Sequence, residues 1–335
     1  MFINYKISYN INIMNIYIIN EKNYKIYNPK IHDLLNIYFK QFNNLYLTLN
    51  NAKKFITDNN KDNIKIIFYF HNLTDFGVQI LDFIQKTNIK CKIYFFTFDW
   101  WIRGPKRHTT FITKIFKAKN YKVITFSNSI EQLCNYHNYD YSIYEKNIIF
   151  NNIWCCYNTS ICKYNKDPIK KILLSGAIDK VAYPERYKIK DFNNLIYHKK
   201  CNIEIKEKTN KYVNSYSKIL NKYLCCFTSS VYVFNKTEKC IKNTHMILQK
   251  VFEILASGSL LIYPLQEEKY IKKIGLINKK NCYLIDFSIE LLGQINEILD
   301  PVNIYNINKI RYNGYIHAIN NLTSLKKFNE IMEII

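Results

Sequence analysis

The chain has 335 residues, and at about 100–200 residues per domain this length predicts two domains. Its 48% hydrophobic and 22% charged residues are globular proportions and exclude a disordered or fibrous polymer. The net charge of +22 would attract polyanions. However, the chain carries no dense basic tract or Lys/Arg helix stripe, and its abundant Asn, Ile, Lys and Tyr are what an AT-rich coding sequence produces, so nucleic acid is not the expected partner.

In chain order, a helix near His32 to Phe42 and a strand at Leu45 to Leu49 are predicted first. From Ile64, short apolar runs rich in β-branched and aromatic residues alternate with amphipathic stretches, the pattern of βαβ units in a parallel sheet. The strands are Ile64 to Phe70, Lys92 to Phe98 and Tyr121 to Phe126, with helices at Asp75 to Lys86 and Lys106 to Ala118. Tyr157 to Pro168 is polar and reads as a linker.

A second series begins at Lys170 to Ser175, a strand running into Gly176. Strands follow at Tyr223 to Phe227, Ser259 to Tyr263 and Asn281 to Phe287. Helices are predicted at Tyr187 to Leu195, His245 to Ala256 and Leu291 to Leu299, then a helical stretch from Val302 to Ile335 interrupted near Gly314. The fold class expected is α/β, two doubly wound Rossmann-like domains facing across a cleft, with ligands beyond the carboxyl ends of the strands. The boundary is placed between residues 165 and 166, and the final helix is a candidate to pack back on the N-terminal domain.

Ten cysteines show neither zinc spacing nor a regular disulfide framework, which predicts reduced, buried thiols. No basic segment leading into an apolar stretch opens the chain, and no run approaches the roughly 20 apolar residues of a membrane span. The expectation is a cytoplasmic protein, in the host's cytoplasm if the AT-rich coding sequence is viral. No Gly-x-Gly-x-x-Gly or GxxxxGK[ST] run follows a strand, and with seven glycines in the chain dehydrogenase and NTPase readings fall away. No Asp-x-Asp stands in a useful context, and no metal is expected.

The sharpest motif is Lys250-Val-Phe-Glu-Ile-Leu-Ala-Ser-Gly-Ser259. Leu248, Val251, Phe252 and Leu255 make an apolar face, while His245, Gln249 and Glu253 recur every fourth position on another. Ala256, Ser257 and Gly258 end the helix with residues small enough for a close approach.

The run Phe-Glu-Ile-Leu-Ala-Ser-Gly-Ser-Leu-Leu-Ile resembles the donor-binding helix of group 1 GT-B glycosyltransferases. Phe68 to Asn72, with His71 at a strand end, Val123 to Ser129, and Ile172 to Gly176 resemble three further family motifs in the right order. The resemblance covers roughly residues 64–300 in patches. It implies a metal-independent, hexosyltransferase-type enzyme with no bound cofactor, moving a sugar from a nucleoside diphosphate sugar to a glycan, protein or small-molecule acceptor. Glu253 would accept hydrogen bonds from the ribose hydroxyls, and the backbone at Ser175 and Gly176 would approach the diphosphate. Ser257, Gly258 and Ser259 complete the donor set.

Two departures stand out. His245 occupies the position of the family's second acidic residue, and Ala177 that of its usual Arg. Tyr183-Pro-Glu-Arg186 and Lys250 look more like the spore-maturation-protein branch, so Arg186 and Lys250 are assigned to the leaving diphosphate, with Lys180 as a substitute. His71 is either an acceptor-activating or sugar-contacting group, or a hydrogen-bonded core histidine. Asp99, Trp100 and Trp101 read as an acceptor-sugar site that works by hydrogen bonding and stacking, with Asp99 alternatively the general base, or as a cap with two core tryptophans. The alternative from another class is a non-catalytic basic protein on the same scaffold, binding polyanions or nucleotides.

Overall fold

The structure, a computed structural model, describes residues 15–21, 42–72, 75–99, 121–125, 142, 148–150, 163–195, 202–206, 216–232 and 245–335. The predicted helix at 106–118, nearly all of that at 32–42, and the first half of the linker, 157–162, lie outside the described residues.

The N-terminal sheet contains β1 (Ile16–Glu21), β2 (Asn43–Leu47), β3 (Lys65–Asn72), β4 (Lys92–Asp99), β5 (Tyr121–Thr125) and β6 (Ile148–Phe150). Every pairing is parallel, in the order β2-β1-β3-β4-β5-β6. Among the described residues two helices accompany it, α1 (Leu49–Asp58) and α2 (Asp75–Lys86). The expected strand through Leu49 stops at Leu47, because extended Thr48 caps α1 and its hydroxyl accepts from the Asn51 amide. Strand β1 was not foreseen. Helix α2 buries Phe76, Ile80, Leu81 and Ile84, and carries Asp75 in its first turn and Lys86 in its last, signs that complement its dipole.

The second sheet is built from β7 (Ile169–Ser175), β8 (Ile203–Lys206), β9 (Tyr223–Phe227), then, after the antiparallel pair β10 (Val231–Tyr232) and β11 (His245–Met246), from β12 (Leu260–Pro264) and β13 (Tyr283–Ile285). Its order is β13-β12-β9-β7-β8, again all parallel. Strands β9 and β12 are buried at every residue, since parallel strands covered on both faces do not alternate polar and apolar. Their alternation appears instead in the packing. Leu173, Cys226 and Leu261 join one apolar cluster, while Ile172, Leu174, Cys225, Phe227, Leu260 and Ile262 join the other.

The helices of this half are α3 (Pro184–Leu195), α4 (Tyr216–Asn221), α5 (Gln249–Ala256), α6 (Glu268–Lys272), α7 (Leu291–Leu299), α8 (Ile304–Asn321) and α9 (Ser324–Ile334). Helix α8 runs unbroken through Gly314, where an interruption was expected. A Cβ at this glycine would lie 2.5 Å from the Asn281 carbonyl oxygen and 3.0 Å from a Leu255 methyl, so Gly314 is where α8 approaches α5 and the turn before β13. The break falls at Leu322 and Thr323, whose hydroxyl caps α9. Phe328 of α9 stacks on Phe42, and the Tyr94 hydroxyl donates to the Ile335 carbonyl at 3.1 Å, joining this helix to the first sheet. No helix among the described residues is long and apolar enough to cross a membrane.

Candidate functional site

In the C-terminal sheet, strand order reverses between β7 and β9. Connections leave this point in opposite directions and open a crevice at the carboxyl ends of the two strands. Ser175 ends β7 and Thr228 directly follows β9. Gly176 turns the chain away with φ +95°, a left-handed conformation open to glycine at little strain.

Two cations converge on this turn. Lys250, in the first turn of α5, donates through Nζ to the Ser175 carbonyl. Arg186, in the first turn of α3 and 2% exposed, donates to the Ala177 carbonyl at 3.2 Å, to the Thr228 hydroxyl at 2.7 Å and to the Ser229 carbonyl at 3.4 Å. Its guanidinium also lies 4.3 Å from the Tyr183 ring centroid, a cation–π contact that orients it. A Cβ at Gly176 would collide with Lys250 Nζ and come within 3.8 Å of the Arg186 guanidinium. The glycine therefore makes the space in which the two charges meet. The first turns of α3 and α5 also direct backbone N–H groups towards the strand ends, adding to a positive field.

A buried polar layer braces this crevice. The Ser230 amide donates to Glu267 at 2.9 Å, and the Ser230 hydroxyl lies 2.7 Å from the Tyr263 hydroxyl. Burial pushes the Tyr263 phenol well above its ordinary value, with the Glu267 carboxylate adding to the shift, so it remains a neutral hydrogen-bonding group. Glu267 and Thr228 are functional candidates that the motif reading missed. Their signal was position alone, the segments just past β12 and β9.

The remaining predicted residues divide. Glu253, 4% exposed, lies three residues beyond Lys250 on α5, hence about 4.5 Å further along the helix axis. Lys180 is exposed on the loop after Gly176, 5.7 Å from the Tyr187 ring centroid. His245 is not on α5, which begins after extended Leu248. Its backbone pairs with Tyr232, so ladder hydrogen bonds replace the expected helical turn.

Ser257, Gly258 and Ser259 lie at the other end of α5. The Ser259 hydroxyl donates to the Leu220 carbonyl at 2.6 Å and the Tyr223 carbonyl at 2.8 Å. Gly258 has φ +67°, ends the helix and abuts Tyr164, whose Cδ2 would lie 2.9 Å from an added Cβ. In the N-terminal sheet, His71 and Asp99 stand at the carboxyl ends of neighbouring β3 and β4, where Asn72 pairs with Asp99. Trp100 and Trp101 lie outside the described residues. Among those residues, no group of three or more His, Cys, Asp or Glu is gathered as metal ligands.

Two parallel sheets that share a strand-order reversal, the second with cations at its switch point, define a GT-B fold, and solved structures bear this out. An alpha-glucosyltransferase (AGT) in complex with UDP superposes with a TM-score of 0.56 at 10% identity, covering 95% of this chain and 98% of its own. A glycosyltransferase from Rickettsia africae ESF-5 gives 0.55 at 14%, covering 97% and 98%. TarM gives 0.53 at 14% but covers 85% of this chain and 57% of TarM, so the chain spans under three fifths of that protein's length. No family model matches the sequence. No curated protein matches it either.

Proposed function

We propose that the chain is a glycosyltransferase using a nucleoside diphosphate sugar, with the donor on the C-terminal domain, residues 166–335, and the acceptor on residues 1–165. The observation that carries this reading is the meeting of Lys250 and Arg186 over Gly176 at the β7/β9 switch point. Transfer leaves negative charge on the departing diphosphate. Two preorganised cations offset that charge most strongly where water is excluded, and they do so without a metal. The carbonyls and the hydroxyl to which they donate are acceptors that phosphate oxygens can replace at little geometric cost.

In this reading Glu253 accepts from the ribose hydroxyls, Ser175 and Gly176 present backbone to the diphosphate, and Lys180 closes over it from the loop. His71 and Asp99, at adjacent strand ends, serve the acceptor with Trp100 and Trp101. UDP bound to the AGT neighbour supports a uridine diphosphate donor.

Thermal unfolding in millimolar UDP or GDP tests the proposal, because a ligand at 100 times its Kd stabilises by about 2.7 kcal/mol. Stabilisation by one nucleotide, lost in Glu253→Ala and Lys250→Gln, is the expected result. If no nucleotide shifts the transition while heparin or RNA does so in a salt-dependent manner, the chain is instead a basic polyanion-binding protein on this scaffold, as its net charge of +22 would favour.

A further inference from the structure

A second cationic recess lies away from the switch point. A cavity of about 500 Å³ opens between α7, α8 and the turn that precedes β13, lined by Lys279, Lys280, Lys309, Glu297, Asn306 and Asn313 among others. Lys279 and Lys280 precede β13 and so stand at its amino end, whereas Ser175, Thr228 and Lys250 gather at the carboxyl ends of β7 and β9. Three strand steps of about 4.8 Å separate β13 from β7, so the cavity is neither at the same end nor at the same edge of the sheet.

The turn is built to hold its lysines. Lys279 has φ +56° and is the only non-glycine residue with positive φ among the described residues. The left-handed conformation costs a lysine roughly 1 kcal/mol, which glycine or asparagine would avoid. Side-chain bonds enforce it. Asn281 accepts from the Ile277 amide at 2.7 Å and donates to the Gly275 carbonyl at 2.9 Å, and Asn278 accepts from the Leu284 amide at 2.9 Å. The Lys279 amide itself donates to the Cys282 carbonyl at 2.8 Å.

Charge and hydrogen-bonding capacity define the occupant. Lys279 is tied to Glu297 at 3.0 Å, while among the described residues no carboxylate pairs with Lys280 or Lys309. Three lysines against one glutamate leave the lining at a formal +2, the complement of a phosphate monoester at neutral pH. Asn313 donates its NH2 to the Lys280 carbonyl at 3.0 Å and Asn303 to the Glu297 carbonyl at 3.0 Å, which fixes both amides and leaves their oxygens to accept from hydroxyls. The volume suits a small molecule, not a duplex or a bilayer. Tyr283, the aromatic residue in the lining, is 3% exposed and offers no free face on which to stack a base.

We infer that this cavity binds a sugar phosphate, its phosphate held by Lys280 and Lys309 with Lys279 behind them and its hydroxyls read by the asparagines. Calorimetric titration tests this with glucose 6-phosphate, glucose, inorganic phosphate, a phosphorylated trisaccharide and UDP, against the wild type, Lys280→Gln/Lys309→Gln and Lys250→Gln. Both lysines of the double variant are exposed, so it should fold as the wild type does. Glucose 6-phosphate should saturate, bind more tightly than glucose or inorganic phosphate, weaken at least tenfold in the double variant, and be unchanged in Lys250→Gln. Tighter binding of the trisaccharide through the same lysines would mark a phosphate carried on an acceptor chain, and equal or weaker binding a free monosaccharide. The proposal is overturned if glucose 6-phosphate does not bind, if inorganic phosphate binds as tightly, or if Lys250→Gln rather than the double variant abolishes binding. UDP serves as the independent control, because its failure to bind would count against the switch-point site alone.

Discussion

The C-terminal sheet holds one buried arginine at each end. Arg186, 2% exposed, stands at the carboxyl ends of β7 and β9. Arg311, 1% exposed, stands at the amino ends of β7 and β12. Arg311 donates to the Gly258 and Asn165 carbonyls and, at 2.9 Å, to Asn308, with its guanidinium 4.3 Å from the Tyr164 ring centroid. Burial holds its pKa below the ordinary arginine value. Similar chemistry thus serves two purposes. Arg311 binds segments of the chain to one another, whereas Arg186 shares a crevice with Lys250 and Gly176.

The largest effect should come from breaking the amino end. Arg311→Ala removes donors from the buried Gly258 carbonyl and the half-buried Asn165 carbonyl and should cost on the order of 3 kcal/mol, read as a lower urea midpoint. At the carboxyl end Lys250→Gln should leave the midpoint nearly unchanged but weaken UDP binding about 10- to 100-fold, the loss of one charge-assisted contact. Equal loss of stability in both variants would erase the distinction between the two ends. Between them, Gly314→Ala forces a methyl against the Asn281 carbonyl and should cost about 1–3 kcal/mol with nucleotide affinity retained.

The smallest effect near neutral pH concerns the thiols. Burial pushes Cys226 and Cys282 up to about 12 and Cys91 to about 11, from an ordinary value near 9. Raised folded-state values favour the protonated form, so their contribution is complete below pH 9 and is lost as pH rises from there towards 12. Unfolding midpoints should decline above pH 9, and at pH 8 these three cysteines should resist iodoacetamide until the chain is unfolded, as peptide mapping would show.

Strands β9 and β12 were legible as uninterrupted apolar runs followed by Thr228 or closing on Pro264, β7 by its Ile172 to Leu174 run before Ser175 and Gly176, and Leu291–Leu299 was read to the residue. Strand β1 and the pairing of His245 with Tyr232 were not, since short runs in an Asn- and Lys-rich background carry no period of their own and depend on partners distant in sequence. The same limit applied at the site. Gly176, Arg186 and Lys250 could be grouped by motif, and the fold brings them into contact. The Gly258-Ser259 pair, part of the same motif and equally small, instead meets Tyr164, Leu220 and Tyr223. Local sequence does not reveal which of two glycines faces a ligand.

The clamp at Gly258 has a mechanical consequence. Lys163 and Asn165 are also bonded to Asn221, whose amide reaches the Ser257 carbonyl at 2.8 Å, so the stretch that leads into β7 is stapled to the C-terminal end of α5. If the two halves of the molecule swing relative to one another, residues 163–165 should travel with α4 and α5, whereas α9, held by Phe42 and Tyr94, should stay with the first sheet.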